Sequence, residues 1–189
     1  SKYARAKLIS ITKQSESRVV PKCQHFGLCG GCDLQMLDLS EQILFKQQKV
    51  TDLFSRSFSI QNLTDKMSSA ELPWEKAIKS SPWHYRRKAR IGVQFDKNAH
   101  ATIGFRQKLT NQLASIKSCP VLVEPLNVIF PLLKKLLLQL TVKSAIGHIE
   151  AIQADIIETS EEEIRQKDNQ VIIVVRQLKP MNETDIGLW

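Results

Sequence analysis

Two stretches of the chain alternate apolar and polar residues with a period of two: Ala89-Arg-Ile-Gly-Val-Gln-Phe and Ala101-Thr-Ile-Gly-Phe-Arg. Successive strand side chains point to opposite faces, so each stretch predicts a strand with one buried face. Asp96-Lys-Asn-Ala-His between them supplies turn residues, and the pair predicts a β-hairpin. Leu126, Ile129, Leu133, Leu136, Leu137 and Leu140 recur at helical spacing and predict an amphipathic helix, with Pro131 near its first turns. An earlier helix is predicted from about Glu41 to Ser57, with Ser40 as its N-cap and Glu41 and Gln42 in the first turn. Its stripe of Ile43, Lys46/Gln47, Val50 and Phe54 is apolar except at the second turn. Residues 3–12 alternate loosely and predict a short strand, and Ser15 to Pro21 reads as a linker. Further strands are expected at His148–Ala154 and Val171–Arg176, separated by an acidic loop, and Asn62–Pro73 is expected to be a surface loop. Two main helices beside four or five mostly antiparallel strands predict an α+β domain without internal repeats. A chain that starts in mid-pattern at Ser1 reads as excised from a longer one.

Composition narrows the class. A chain of 189 residues suits one ordinary domain with a small appendage, and a hydrophobic share of 42% excludes wholesale disorder. No stretch approaches the roughly 18 apolar residues that span a bilayer. The most apolar run, Val121 to Leu140, is interrupted by Glu124, Pro125, Asn127, Pro131, Lys134 and Lys135. No apolar segment of signal-peptide length follows the basic N-terminus, so a cytoplasmic location is the expectation. Lys and Arg number 27 against 19 Asp and Glu, a formal charge of +8, which raises the expectation of a polyanionic partner. The charge is uneven: basic residues crowd between Tyr85 and Arg90, acidic ones between Glu158 and Glu163. That asymmetry points to a local binding face.

All four cysteines fit one constellation, Cys23-x5-Cys29-Gly-Gly-Cys32 and, far downstream, Cys119-Pro120. Glycines let a short loop fold tightly, so three thiols can converge on one centre, with the fourth arriving through tertiary structure. Three readings stand. Disulfides suit short secreted chains, and no secretory signal is evident. Structural zinc accepts four thiolates but is usually held by two short Cys-x2–4-Cys pairs, and the second pair is missing here. A cluster of three with a distant Cys-Pro is closer to the spacing of iron–sulfur ligands. His25 lies inside the loop as a possible extra ligand, or as a contact residue.

Pro82-Trp-His-Tyr-Arg-Arg-Lys-Ala-Arg90 leads into the first hairpin strand. Cationic side chains neutralise phosphates and planar rings stack on unpaired bases, so Trp83, His84, Arg86, Arg87, Lys88 and Arg90 are candidates for holding single-stranded RNA. Arg106 and Lys108 extend the same face from the second strand. If the segment is extended from Tyr85, then Arg86, Lys88 and Arg90 share one side and Arg87 faces the other. The bland alternative is equally open: Trp83 and Tyr85 pack a core while the charges solvate a strand edge.

Taken together, Cys23-Gln-His-Phe-Gly-Leu-Cys-Gly-Gly-Cys32, Pro82-Trp-His-Tyr-Arg-Arg-Lys-Ala-Arg90, Gly104-Phe-Arg106, Cys119-Pro120 and Gly147-His-Ile-Glu150 resemble, in this order, the 23S ribosomal RNA uracil-5 methyltransferases of the RumA-type branch. The resemblance spans nearly the whole chain. It implies a 4Fe–4S cluster on Cys23, Cys29, Cys32 and Cys119. It also implies that residues 1–16 are the end of an N-terminal TRAM-like barrel and residues 17–189 a central iron–sulfur and RNA-binding domain. The stretches Asn62–Pro73 and Ile157–Gln170 look like surface insertions in that frame. Members of this family transfer methyl from S-adenosylmethionine to uracil C5, using a cysteine that attacks C6 and a glutamate base. The glycine-rich cofactor loop and the Ser-Cys-Asn-Pro context of that cysteine do not occur here. No catalytic residue is therefore assigned, and His148 and Glu150 are read as strand residues. The implied partner is a single-stranded or loop region of 23S ribosomal RNA, and a monomer is the expectation. A stand-alone RNA-binding iron–sulfur or zinc module without catalysis is the rival.

Overall fold

The computed structural model describes residue 6 and residues 8–57, 74–160 and 163–189, backbone only at 55–57, 156–160 and 163–169. They divide into two compact units, Ser1–Pro21 with Leu34–Ala77, and Lys22–Asp33 with Ile78–Trp189.

In the first unit, helix α1 runs over Leu39–Ser57. Its start is set by Asp38 rather than Ser40: the Asp38 carboxylate accepts from the Glu41 N–H (3.0 Å) and from the Ser40 hydroxyl (2.5 Å). A carboxylate at this point satisfies an orphan N–H and complements the helix dipole. Val50 and Phe54, on the expected apolar stripe, each remain 41% exposed. The strand expected over residues 3–12 is not formed at 8–12, where Leu8 and Ile9 stand in solvent; residues 3–5 and 7 lie outside the described residues. Asn62–Pro73 also lies outside them.

The second unit is built on a five-stranded sheet of β1 (Lys88–Phe95), β2 (Ala101–Arg106), β3 (Leu113–Ser115), β4 (Ile146–Ser160) and β5 (Glu163–Gln177), in the order β3-β2-β1-β4-β5. Every neighbouring pair is antiparallel. The α+β class and the hairpin follow the hydrophobic pattern: Ala89, Ile91 and Val93 are buried, while the alternate residues Lys88, Arg90 and Gln94 are exposed. The turn is closed by Asp96, whose carboxylate accepts from the N–H groups of Asn98 and His100, both at 2.8 Å. One expectation fails and one element is new. The segment expected to be an acidic loop within Ile157–Gln170 is strand backbone over Ile156–Ser160 and Glu163–Gln170, with pairs such as Ile157↔Gln166 and Thr159↔Ile164. Three-residue β3 was not expected at all, being too short to show alternation.

The helix expected from Leu126 is two: α2 (Glu124–Asn127) and α3 (Ile129–Gln139), parted at Val128. Pro131 sits in the first turn of α3, where its missing N–H has no intrahelical partner to lose. Leu126, Phe130, Leu133 and Leu137 press onto the inner face of the sheet, joining Ile91, Ile103 and Ile149 in one core. Each such side chain contributes about 1.5–3 kcal/mol on burial. Phe130 meets Phe105 edge-on, ring centroids 6.3 Å apart. Gly104 is required where β2 passes β3: its φ is +156°, and a Cβ there would come within 1.9 Å of the Ala114 carbonyl oxygen. The chain end is fixed by α4 (Glu183–Ile186), whose buried Asp185 accepts from the backbone N–H groups of Thr141 (2.8 Å) and Val142 (2.9 Å). No helix among the described residues is long and apolar enough to cross a membrane.

Candidate functional site

The cysteine loop is docked against the far end of the hairpin. Gly30 N–H donates to the Arg106 carbonyl (2.8 Å), Lys108 N–H donates to the Leu28 carbonyl (3.0 Å), and Cys29 bridges Gln107. A Cβ on Gly30 would stand 3.0 Å from the Arg106 oxygen, a tight contact that glycine avoids. The Lys108 ammonium is held by Asp33 (2.7 Å) over the Phe26 ring. Within the loop, His25 carbonyl accepts from the N–H groups of Leu28 (3.2 Å) and Cys29 (2.9 Å).

The four cysteines are half-buried and none forms a disulfide, so that reading finds no support among the described residues. Burial pushes the Cys29 thiol above its ordinary value, with Cys32 and Cys23 adding to the rise; the Gly31 N–H (3.4 Å to Sγ) and Lys108 oppose it. Burial likewise raises Cys119, and Cys23 and Cys32 raise it further. The distant cysteine thus lies within electrostatic reach of two members of the loop. Cys23, Cys119 and His84 also open into one cavity of about 440 Å³. The site resists gathered negative charge by itself, and a bound metal reverses that preference by ionising its thiols. Four thiols are a soft donor set suited to iron–sulfur clusters or zinc. Among the described residues, no three His, Cys, Asp or Glu side chains converge as the ready-made shell of a single ion.

Cys119 is clasped to the segment entering β1. His84 N–H donates to the Pro120 carbonyl (3.0 Å), Arg86 N–H to the Val121 carbonyl (2.9 Å), and Val123 N–H to the Arg86 carbonyl (3.1 Å). His84 takes a left-handed φ of 54°, and its Nδ1 lies 3.0 Å from the Leu122 carbonyl, which assigns the proton to Nδ1. Trp83 lies beneath the Lys22 ammonium, 5.3 Å from the ring centroid. Sequence reasoning missed Asn127, a buried polar residue in an otherwise apolar helix pattern. Its Oδ1 accepts from the Cys119 N–H at 2.8 Å and so fixes the fourth cysteine. A lone amide within an apolar stripe is the signal that marks it.

The basic residues divide by face. Lys88 and Arg90 project from the outer side of β1, and Arg90 and Arg106 line a groove of about 420 Å³ with Gln94, Asn111 and His148, floored by Gly92 and Gly104. Arg90 donates to His148 Nδ1 (3.2 Å), which leaves the imidazole proton on Nε2. Burial, then Arg90 and Arg176, push His148 below its ordinary value and favour the neutral ring. Lys88 pairs with Glu150 (2.8 Å), whose carboxyl that bond lowers, and Arg106 donates to Asn111 (2.7 Å). Arg86 turns its Nε onto the Lys88 carbonyl (3.1 Å). Arg87 is spent elsewhere, its two terminal nitrogens forking the Asp155 carboxylate at 2.7 and 2.5 Å.

No family model matches the chain. Among curated proteins it is 82% identical over all 189 residues to the 23S rRNA (uracil(1939)-C(5))-methyltransferase RlmD of Colwellia psychrerythraea, covering 40% of that protein. It is 43% identical over 157 residues to the protein of the same name from Shewanella halifaxensis, covering 82% of this chain and 33% of that one. A Shewanella species (strain ANA-3) has another at 38% identity over 186 residues, 36% of its length. The chain spans about two-fifths or less of these relatives, so their whole activity is not contained in what is compared. With its cysteine loop, its basic strand and this likeness along its full length, the chain belongs to the family of 23S rRNA (uracil-C5)-methyltransferases.

Proposed function

We propose that this chain is the cluster-bearing, RNA-positioning portion of an S-adenosylmethionine-dependent enzyme that methylates uracil C5 in 23S ribosomal RNA. The observation that carries the reading is the 82% identity over the entire chain to a protein of that name. In this reading Cys23, Cys29, Cys32 and Cys119 hold a 4Fe–4S cluster, which supplies a rigid four-point anchor. The thiol donor set supports it, as does the electrostatic reach of Cys119 to Cys23 and Cys32. A cluster interposes its own iron and sulfide, so it suits thiols set further apart than a single ion's shell allows. Cys119 is hydrogen-bonded through its neighbours to His84 and Arg86, and the loop is bonded to the end of β2. Anchoring the four sulfurs therefore fixes both approaches to the basic face.

On that face Arg90 and Arg106, flanked by Lys88 and Arg86, hold the phosphates of an RNA loop, and Trp83 and His84 offer rings to unpaired bases. Arg87, forked on Asp155, supports the strand rather than the RNA. Residues 1–16 are read as the end of a TRAM-like barrel and residues 17–189 as the central domain. S-adenosylmethionine and the reacting cysteine belong to the rest of the enzyme, which acts in the cytoplasm. The test is iron, acid-labile sulfide and zinc analysis of anaerobically purified protein. About four irons and four sulfides per chain are expected. One zinc without sulfide, persisting after reconstitution, overturns the cluster.

A further inference from the structure

Among the described residues, one buried side-chain nitrogen or oxygen lacks a hydrogen-bond partner: Nε2 of His25, inside the cysteine loop. Buried polar groups without partners are costly and rare, so each one that persists marks a contact made by something else. The backbone that carries the ring is held in place, because the His25 carbonyl accepts from the N–H groups of Leu28 and Cys29. The residue lies between two of the four cysteines, on the stretch that must wrap whatever those thiols hold. Elsewhere in the loop, Gly31 N–H points at the Cys29 sulfur and Lys108 pairs with Asp33.

We propose that His25 donates a hydrogen bond from Nε2 to a sulfur of the iron–sulfur cluster, and thereby eases the reduction of that cluster. The inference rests on the cluster reading above. An added electron increases the negative charge on the cluster sulfurs, so a donor aimed at one of them stabilises the reduced form more than the oxidised form. Hydrogen bonds to ligand atoms tune metal sites in this way without touching the metal. His25 is thus a positioning and tuning residue, separate from the four ligands.

The experiment is a spectroscopic reductive titration of the anaerobically reconstituted chain, with iron and sulfide counted on each sample. Wild type, His25→Phe and His25→Gln are compared. His25→Phe is expected to keep its cluster and shift the reduction potential to a more negative value. His25→Gln, which keeps an N–H donor, recovers most of that shift. A fully loaded His25→Phe protein with the wild-type potential overturns the inference and leaves the nitrogen to an ordered water. Should His25→Phe fail to load, wild-type protein labelled with nitrogen-15 histidine is read by electron–nuclear double resonance in the reduced state. A coupled nitrogen that vanishes in His25→Gln supports the contact, and its absence overturns it. A wild-type protein without sulfide instead refutes the cluster itself, so the two failures are distinguishable.

Discussion

Asn127→Ala is the most direct probe of how the fourth cysteine is held. Asn127 is 8% exposed, and its Oδ1 accepts from the Cys119 N–H at 2.8 Å. Its Nδ2 reaches the Leu122 carbonyl at only 3.4 Å, a long contact that contributes little. Alanine leaves the Cys119 N–H without its acceptor, at a cost of about 1–3 kcal/mol for an orphaned, partly buried donor. A central value of about 2 kcal/mol lowers the melting temperature of a chain this size by about 4–8 °C. The assay is thermal and urea unfolding of the metal-free, reduced protein, run beside chelator-resistant iron in the loaded protein. The metal-free form isolates the lost hydrogen bond, and the loaded form reports whether Cys119 still reaches its place. A stability loss below about 0.5 kcal/mol, together with unchanged iron retention, refutes the positioning role.

Gly104→Ala is expected to cost about 3 kcal/mol or more, since it adds strain at positive φ to a collision with the Ala114 carbonyl; denaturant unfolding that moves by under about 1 kcal/mol contradicts this. Arg90→Ala is expected to weaken RNA binding and lower its salt slope by nearly one unit per lost phosphate contact, whereas Arg87→Ala changes RNA affinity less; equal losses in a filter-binding or anisotropy series count against the division of faces. Asp185 is held below its ordinary value by the N–H groups of Thr141 and Val142. Its stabilising share is therefore full above the unfolded carboxylate value and is lost as pH falls through the lower folded value. Asp185→Asn is expected to flatten the acid limb of stability against pH, and an unaltered limb argues against that assignment.

How much of this was legible in the sequence differs by element. The β1–β2 hairpin was, because Ala89, Ile91 and Val93 alternate with residues that face water. The helical stripe from Leu126 to Leu140 was also, although the break at Val128 was not: the apolar period continues across it. The N-cap was placed at Ser40 because serine is as good a cap as aspartate; both residues lie at the start, and the hydrogen bond to Glu41 decides for Asp38. The outer parts of β4 and β5 were read as a loop since Glu158-Thr-Ser-Glu-Glu-Glu shows no apolar alternation. Their pairing is carried by the main-chain ladder, which leaves no mark in composition. The cysteines and the basic strand were legible as residue types, but not the use of each cation. That Arg87 is taken by Asp155 depends on β4 lying beside β1, a pairing between distant segments.

The docking of a short cysteine loop against a site reached much later in the chain has a consequence for the order of assembly. Three thiols leave synthesis about 90 residues before Cys119, and for that interval they form an incomplete set. The β1–β2 hairpin lies wholly within the interval and closes locally, so it can form before the fourth thiol exists. Extending the loop to such a length adds little entropy cost, since closure grows only as the logarithm of the span. In the proposed cluster reading, insertion waits until Cys119 has been made, and a polypeptide stalled before that residue presents three unprotected thiols to any oxidant it meets.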